Sequence, residues 1–336
     1  MRTVLGDVDA DTIGRALMHE HVLFDIVPPG AEGDRDAEIA ITDRWQIDYR
    51  SNETAANALQ RDVGIAAQEL EWFAADGGSL IVDQSVHGLG RDAPGLAKAS
   101  RASGIHVVAS AGTYTAAYLD EATRAMDADA LTERFVGEIV QGMDGTDIPA
   151  GLIGEIGCSW PLEPVEERAL IAAARAQART GAAISVHPGR HPDACGQILD
   201  VLEAEGTDLG RTVLCHMDRT YPDGQGVEPL LVRGACVEWD FFGIEQSHYW
   251  MADAELPNDL ARLRAIKALA DAGWGDRITI SHDICTKTRL RRWGGHGYGH
   301  IFRNVAALMR RLGFGRDLIE ALTRTTPLRL LTLETV

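Results

Sequence analysis

Residues 15–21 read Arg-Ala-Leu-Met-His-Glu-His, a short apolar run that ends in two histidines separated by one residue. A run of this length with an apolar interior, bounded by turn residues, is typical of a buried β-strand. Similar short apolar or β-branched runs return seven more times along the chain. The eight predicted strands cover residues 15–19, 79–85, 105–111, 151–157, 182–187, 212–216, 235–240 and 277–283.

Longer amphipathic stretches lie between these runs, and glycines often close them. They cover residues 52–75, 94–103, 132–141, 164–180, 193–205 and 257–272. Apolar strands that alternate with helices indicate a parallel sheet, because parallel strands need long crossover connections. Eight such units predict a (β/α)8 TIM barrel. The rival is an open, doubly wound sheet, which would be expected to carry a Gly-rich phosphate turn after its first strand, and none is present.

No Pro-, Gly- or Ser-rich stretch is long enough to divide the chain, so residues 1–336 are expected to form a single barrel domain. Residues 1–14 are expected to form a short hairpin before the first barrel strand. Roughly the last 25 residues are expected to be helical. These additions complete the predicted α/β architecture.

The composition narrows the range of partners. The 336 residues carry a formal net charge of −18, which argues against nucleic acid and anionic membrane surfaces as partners. No apolar run approaches the ~18–20 residues of a membrane span, and the N-terminus lacks the form of a signal peptide. The cysteines are an odd number, five, without a Cys-x-x-Cys motif, which favours a reduced, cytoplasmic chain.

Residues that commonly bind metals follow the predicted strands at their carboxyl ends. His19 and His21 are two residues apart, so both side chains point to one face of their strand. A barrel gathers the carboxyl ends of all its strands at one mouth, where such enzymes keep their active sites. Four histidines and two carboxylates meeting there would suit two divalent cations ~3.5–4 Å apart. The candidate ligands are His19, His21, Glu155, His187, His216 and Asp283.

Each of these residues also has an ordinary structural interpretation. A single histidine at a strand end is more often a hydrogen-bonded rim residue than a ligand. Glu155 alone would fit a buried carboxylate bonded to backbone amides, and Asp283 alone would fit a helix cap. Their occurrence together, on five strand ends, favours the metal site. The His-Glu-x-x-His motif, the Gly-x-Ser-x-Gly nucleophile elbow and the Walker-type phosphate loop are absent.

Longer stretches around these residues carry a family resemblance that covers nearly the whole chain. The stretches are Val4-Leu-Gly, Leu17-Met-His19-Glu-His21, Gly88-Leu-Gly-Arg91-Asp92, His187-Pro, His216-Met-Asp218-Arg219-Thr220, Ser281-His282-Asp283 and Gly294-Gly-His296-Gly-Tyr298-Gly-His300-Ile301. They resemble the phosphotriesterase family of the amidohydrolase superfamily. Residues 151–162, Gly-Leu-Ile-Gly-Glu-Ile-Gly-Cys-Ser-Trp-Pro-Leu, are similar to its phosphotriesterase-related branch, whose animal member hydrolyses N-acetyltaurine and related N-acyl amino compounds.

The resemblance implies a binuclear metal site and assigns its ligands. His19, His21 and Asp283 would hold a buried ion, His187 and His216 an exposed one, and Glu155 would bridge them. The founding phosphotriesterases use a carboxylated lysine as the bridge, whereas Glu155 occupies that position here and none of the three lysines lies on this strand. Zinc is the expected metal, with manganese, cobalt and iron as alternatives that also suit His and carboxylate ligands.

The predicted function is hydrolysis of an N-acyl amide of a small anionic amine by a metal-bridging hydroxide, with Asp283 as the catalytic proton acceptor. Candidate substrate-binding residues lie in the loops after the strands; they are Arg190, Arg219, Tyr114, Lys287 and Tyr298. The cations among them would recognise a carboxylate or sulfonate, or would simply pair with loop carboxylates. The alternatives are lactone or ester hydrolysis, including organophosphate esters, on the same metals, and a metal-stabilised binding protein without turnover. The expected partner is a small-molecule substrate, and a homodimer is the default assembly.

Overall fold

The computed structural model describes residues 1–50, 54–245, 249 and 255–333. Eight strands of this part of the chain form one sheet, in which each strand pairs in parallel with the next along the chain. The predicted (β/α)8 barrel is therefore confirmed. The strands are β1 (Arg15–Glu20), β2 (Gly78–Asp83), β3 (His106–Ala111), β4 (Leu152–Gly157), β5 (Ile184–His187), β6 (Thr212–Leu214), β7 (Cys236–Trp239) and β8 (Ile278–Ile280).

The barrel is nearly closed where the chain beyond β8 returns to β1. The backbone N–H of Asp283 donates to the carbonyl oxygen of His19 across 3.2 Å. The backbone N–H of His19 in turn donates to the hydroxyl of Ser281 across 3.1 Å. These bonds join β1 to the residues that follow β8, at the end of the barrel that carries the predicted metal ligands.

Helices occupy the connections between the strands. The helices are α1 (Arg44–Tyr49), α2 (Val63–Ala75), α3 (Ala93–Ser103), α4 (Glu121–Ala125), α5 (Ala128–Val140), α6 (Pro164–Thr180), α7 (Ala194–Ala204), α8 (Met217–Thr220), α9 (Glu228–Val232), α10 (Asp259–Leu269), α11 (Ala306–Arg311), α12 (Arg316–Glu320) and α13 (Thr326–Leu331). The predicted hairpin is present as Arg2–Thr3 paired with Gly6–Asp7. Helices α12 and α13 lie in the predicted helical C-terminus, of which residues 334–336 lie outside the described residues.

Helix α2 begins later than the predicted start at residue 52. Residues 52 and 53 lie outside the described part of the chain, and the helix starts at Val63. The Asp62 carboxylate accepts hydrogen bonds from the N–H groups of Gly64 and Ile65, so Asp62 is the N-cap. The preceding Leu59–Gln60 pairs instead with Phe24–Asp25 as a short antiparallel ribbon. Amphipathic spacing alone did not reveal this interruption.

Alternating side chains of the strands build two apolar layers. Met18, Val82 and Val108 belong to a cluster that fills the barrel interior. Leu17 and Ile81, on the opposite face of their strands, belong to the larger cluster beneath the helices. Because the barrel interior is packed, a site for a small molecule must lie at its end. None of the helices in the described ranges combines the length and the apolar composition that crossing a membrane requires.

Candidate metal centre

The six predicted ligands meet at the carboxyl end of the barrel. His19, Glu155 and His187 lie on β1, β4 and β5. His216 and Asp283 follow β6 and β8, which end earlier than predicted, at Leu214 and Ile280. Both residues have left-handed backbone angles (φ 60° and 49°), which a strand cannot contain. All six residues, including His21, are buried, with less than 10% of their surface exposed.

One group of ligands lies on the β1 side of the site. The Nε2 atom of His21 is 3.2 Å from Oδ1 of Asp283, and Nε2 of His19 is 3.8 Å from the same oxygen. The three residues each place one donor atom within 4.8 Å of the others. Two imidazoles and one carboxylate in this arrangement form a candidate site for one divalent ion.

Glu155 connects this group with the other two histidines. Its Oε1 is 3.5 Å from Nε2 of His21. Its Oε2 is 2.8 Å from Nδ1 of His187, 3.5 Å from Nε2 of His216 and 3.7 Å from Nε2 of His19. The carboxylate therefore lies within 4 Å of all four histidines, with its oxygens divided between the two sides. A carboxylate in this position is suited to bridging two ions.

Neighbouring polar groups orient the histidine rings. Nδ1 of His21 contacts the hydroxyl of Ser85 at 3.0 Å, and Nδ1 of His216 contacts Oδ1 of Asp240 at 2.9 Å. Both rings consequently direct Nε2 to the centre. The ring of His187 is reversed, because its Nδ1 faces Glu155 and its Nε2 lies 3.1 Å from Nη2 of Arg219. Such contacts hold the rings in the orientation that a ligand needs.

Divalent metal ions fit this set of residues. Nε2 of His19 is fully buried and has no hydrogen-bond partner, which is costly for an imidazole nitrogen. Nδ1 of His187 and Nε2 of His216 face each other at 2.8 Å beside Glu155. Bound cations on the two sides of Glu155 would satisfy all three nitrogens. Imidazole nitrogens and carboxylate oxygens are donors that suit zinc, manganese, cobalt and iron.

Both central carboxylates are held in their ionised form. Burial alone would raise the pKa of Glu155, but the neighbouring His19 and His187 outweigh it and hold that pKa well below its usual range. Burial likewise opposes ionisation of Asp283, yet the hydrogen bond from His21 and the charge of His19 lower its pKa to about 2. Ionised oxygens are the form that binds cations.

An open cleft of about 630 Å³ lies above the ligands. Three of the five predicted substrate-binding residues, Tyr114, Arg190 and Arg219, line this cleft. The structure does not bring the other two to its described wall. The hydroxyl of Tyr298 is buried and donates to the His21 carbonyl oxygen across 2.7 Å. The ammonium of Lys287 lies over the ring of Trp293, 5.6 Å from its centroid.

Two polar residues were not predicted as part of the site: Glu238 in β7 and Asp240 directly after it. Asp240 accepts from both the backbone N–H and Nδ1 of His216, and Glu238 lies 3.6 Å from Nδ1 of His19. Their spacing, two residues apart at a strand end, is the signal that identified His19 and His21. Asp218 fixes this strand end, because it accepts from the N–H of Asp240 and pairs with the fully buried Arg262 of α10.

Comparisons with known proteins agree with this arrangement. The sequence model described as the phosphotriesterase family matches residues 1–331. The N-acetyltaurine hydrolase of Rattus norvegicus is 38% identical over 340 residues, which cover 99% of this chain and 97% of that protein. The crystal structure of a resiniferatoxin-binding protein from Rhodobacter sphaeroides superposes with a TM-score of 0.93 at 36% identity, covering 100% of this chain and 96% of that one.

A second solved structure is more distant. The phosphotriesterase homology protein from Escherichia coli, complexed with phosphate in its active site, has a TM-score of 0.80 at 27% identity. The match covers 97% of this chain and 100% of that one. The similarity thus extends over the whole barrel in sequence as well as in structure.

Proposed function

We propose that this chain, which belongs to the phosphotriesterase family, hydrolyses the amide bond of an N-acylated small anionic amine, of the N-acyl amino acid or N-acyltaurine type. Membership of the family makes it a hydrolase with a candidate metal site. The observation that carries the substrate proposal is the presence of Arg190 and Arg219 in the same cleft as the buried carboxylates and histidines. The relatives named N-acetyltaurine hydrolase support the same class of substrate.

The metal ligands in this proposal are those that the family resemblance implies. His19, His21 and Asp283 would hold one ion, His187 and His216 a second, and Glu155 would bridge them, with zinc as the proposed metal. When bound, two such ions lower the pKa of a water molecule towards neutrality and polarise a carbonyl oxygen. Glu155 carries the single negative charge that the bridge requires without modification of a lysine.

Asp283 is the proposed proton acceptor. Its Oδ1 lies 3.2 Å from Nε2 of His21, at the edge of the open cleft, and 12% of its side chain is exposed. An ionised carboxylate in this position can take a proton from an attacking water and pass it to the leaving amine. Such a transfer matters most for an amide, because an amine anion is a poor leaving group.

Arg219 is the proposed anchor for the anionic part of the substrate. It is nearly fully buried, its Nη2 donates to the Pro188 carbonyl oxygen across 2.7 Å, and its Nη1 has no hydrogen-bond partner. A buried guanidinium group with a free donor is strongly stabilised by a carboxylate or sulfonate. Arg190, 2.9 Å from the Tyr249 hydroxyl, and Tyr114 lie on the same part of the cleft wall.

Initial rates of the metal-loaded protein on a matched panel test this proposal. The panel contains N-acetyltaurine, N-acetyl amino acids, a neutral N-acetyl amine of similar size, a γ-lactone and an aryl phosphotriester. We expect the anionic amides to be cleaved with the highest kcat/KM. Preference for the lactone or the triester would overturn the substrate proposal, and absence of turnover in a protein that holds metal would identify a binding protein instead.

A further inference from the structure

A second cavity, of about 710 Å³, adjoins the metal cleft. Ile244 and Arg289 line both cavities and form the boundary between them. Trp45 and Tyr49 of α1 line its outer part, and Thr288 belongs to its wall. We call this space the side cavity. For a molecule that is bound in the cleft and longer than an acetyl amide, the side cavity is the adjoining space that could take its far end.

Two neutral groups of the side-cavity wall have no hydrogen-bond partner. One is Oγ1 of Thr288, a residue that is fully buried, and the other is Nε2 of His296. Burial holds the pKa of His296 well below its usual range, so its ring is neutral. Its Nδ1 lies 3.3 Å from the Gly297 carbonyl oxygen, which can only accept, so Nδ1 carries the proton and Nε2 is an acceptor.

Charged groups of the same wall already have partners. Arg44 donates to Asp48 across 3.0 Å and to the Trp293 carbonyl oxygen across 2.6 Å. Glu245 accepts from the backbone N–H of Asp259 across 3.1 Å. The groups of this wall that lack a partner are therefore a neutral hydroxyl and a neutral imidazole, and not charged groups. A hydroxyl or a carboxamide supplies both the donor and the acceptor that these two atoms need.

The side cavity and the proposed anion anchor lie on different sides of the metal ligands. Arg219 contacts His187, whereas Nη1 of Arg289 donates to the carbonyl oxygen of Asp283 across 2.8 Å. The two substituents of a trans amide extend in opposite directions from the carbonyl carbon and the nitrogen. If the anionic amine part extends to Arg219, the acyl part extends towards Arg289 and the side cavity.

We propose that the side cavity binds the far end of an acyl chain that is longer than acetyl and ends in a neutral hydroxyl or carboxamide group. This inference rests on the proposed amide hydrolysis and deepens it, because it assigns a class of acyl group to the substrate. Thr288 and His296 supply the polar contacts, and Trp45 and Tyr49 cover the chain.

Three taurine amides that differ only in the acyl group test the inference: acetyl, hexanoyl and ω-hydroxyhexanoyl. For each protein we compare kcat/KM of the hydroxyhexanoyl with that of the hexanoyl substrate. We expect this ratio to be about five to ten in the unmodified chain, the size of two hydrogen bonds, and to fall to about two to three in Thr288→Val, which leaves only His296 as a partner. A ratio near one in the unmodified chain overturns the inference.

Thr286→Val is the matched control. Thr286 is equally buried, in the same loop, and its hydroxyl also lacks a partner, but it is not among the residues that line the side cavity. We expect the control to keep the ratio of the unmodified chain. An equal fall in both variants would show a general loop effect and would overturn the role of Thr288.

Binding of the free acids separates this inference from the proposed function. Calorimetry of the metal-loaded protein with hexanoate and ω-hydroxyhexanoate requires no turnover. Tighter binding of the hydroxy acid, reduced in Thr288→Val, would support the side cavity even if no amide were cleaved. Cleavage of N-acetyltaurine with equal binding of both acids would retain the amide hydrolase and reject the side cavity as a polar acyl site.

Discussion

Asp240 accepts two hydrogen bonds from His216, one from the backbone N–H at 3.0 Å and one from Nδ1 at 2.9 Å. The same carboxylate lies 3.4 Å from Nδ1 of His19, so it reaches ligands on both sides of the site. Its own backbone N–H donates to Asp218, which pairs with Arg262. The orientation of the metal ligands thus depends on the residue that directly follows β7, a strand that supplies none of the six proposed ligands.

Asp240→Asn should weaken metal binding without unfolding the barrel. The amide keeps one oxygen acceptor but offers an N–H₂ group in place of the second, so one of the two contacts with His216 is lost. We expect metal affinity to fall about 10- to 100-fold, the usual effect of removing a group that orients a ligand. Titration against a competing chelator measures it. Asp223→Asn, in an exposed turn, is the control, and equal affinities in both variants would refute the role of Asp240.

Asp283→Asn should remove turnover and spare most of the metal. The amide oxygen can still face a cation, but the group can no longer accept a proton at neutral pH. We expect kcat to fall by about 10²- to 10⁴-fold, the usual contribution of a general base. Elemental analysis of the purified variant checks its metal content. If a variant with full metal content kept its activity, the proton acceptor would have to be another group.

Arg219→Met should raise KM for anionic substrates more than KM for neutral ones. A hydrogen bond to a charged group contributes about 1.5–3 kcal/mol, so KM for an anionic N-acyl substrate should rise by about 10- to 150-fold. KM for the neutral amide of similar size should rise much less, because that substrate loses only the effect of the Arg219 contact with His187. Arg175→Met, which removes an exposed arginine far from the cleft, serves as control. A uniform rise for charged and neutral substrates would indicate a structural role for Arg219.

The ionised carboxylate of Asp259 should stabilise the fold at neutral pH, and this stabilisation should be lost in acid. Burial opposes ionisation, but the hydrogen bond from His300 and the charge of Arg262 lower the pKa of this carboxyl from 3.8 to about 2. A carboxyl whose pKa is lower in the folded than in the unfolded chain stabilises the fold at pH values above its unfolded pKa. This stabilisation is lost as the pH falls towards 2. At about 1.4 kcal/mol per pKa unit, the contribution is about 2 kcal/mol at neutral pH, and about half is lost at pH 3.

Denaturant unfolding of metal-free protein and Asp259→Asn tests this value. The difference in the free energy of unfolding between the two proteins should narrow by about 1 kcal/mol between pH 6 and pH 3. A difference that stays constant over this range would mean that the Asp259 carboxyl titrates alike in the folded and the unfolded chain.

The sequence was sufficient to predict the barrel and the position of the candidate ligands, because both follow from local patterns. Apolar runs define the strands, and the barrel topology brings every carboxyl end to the same mouth. The left-handed backbone of His216 and Asp283 explains why β6 and β8 do not extend to these two residues, as the apolar pattern indicated. Backbone conformation of this kind is set by the surrounding structure and not by the apolar run itself.

Contacts between segments that are far apart along the chain could not be predicted from the sequence. The lysine and the tyrosine after β8 were expected near the substrate from their position in the chain, yet Lys287 packs on Trp293 and Tyr298 bonds to the His21 carbonyl oxygen. Which side chains of the loop after β8 face the cleft depends on how this loop packs against α1 and β1. Asp240 was readable in principle, since it follows Glu238 at the spacing that identified the first histidine pair.

The closure of the barrel by Asp283 and His19 has a consequence for the growing polypeptide during translation. These two residues lie near opposite ends of the chain, and the hydrogen bond between their backbones forms only when the last strand has been made. A nascent chain that lacks β8 carries His19 and His21 with Glu155 but without Asp283. We therefore expect the site to retain metal only on finished chains, so that cofactor loading marks the completion of synthesis.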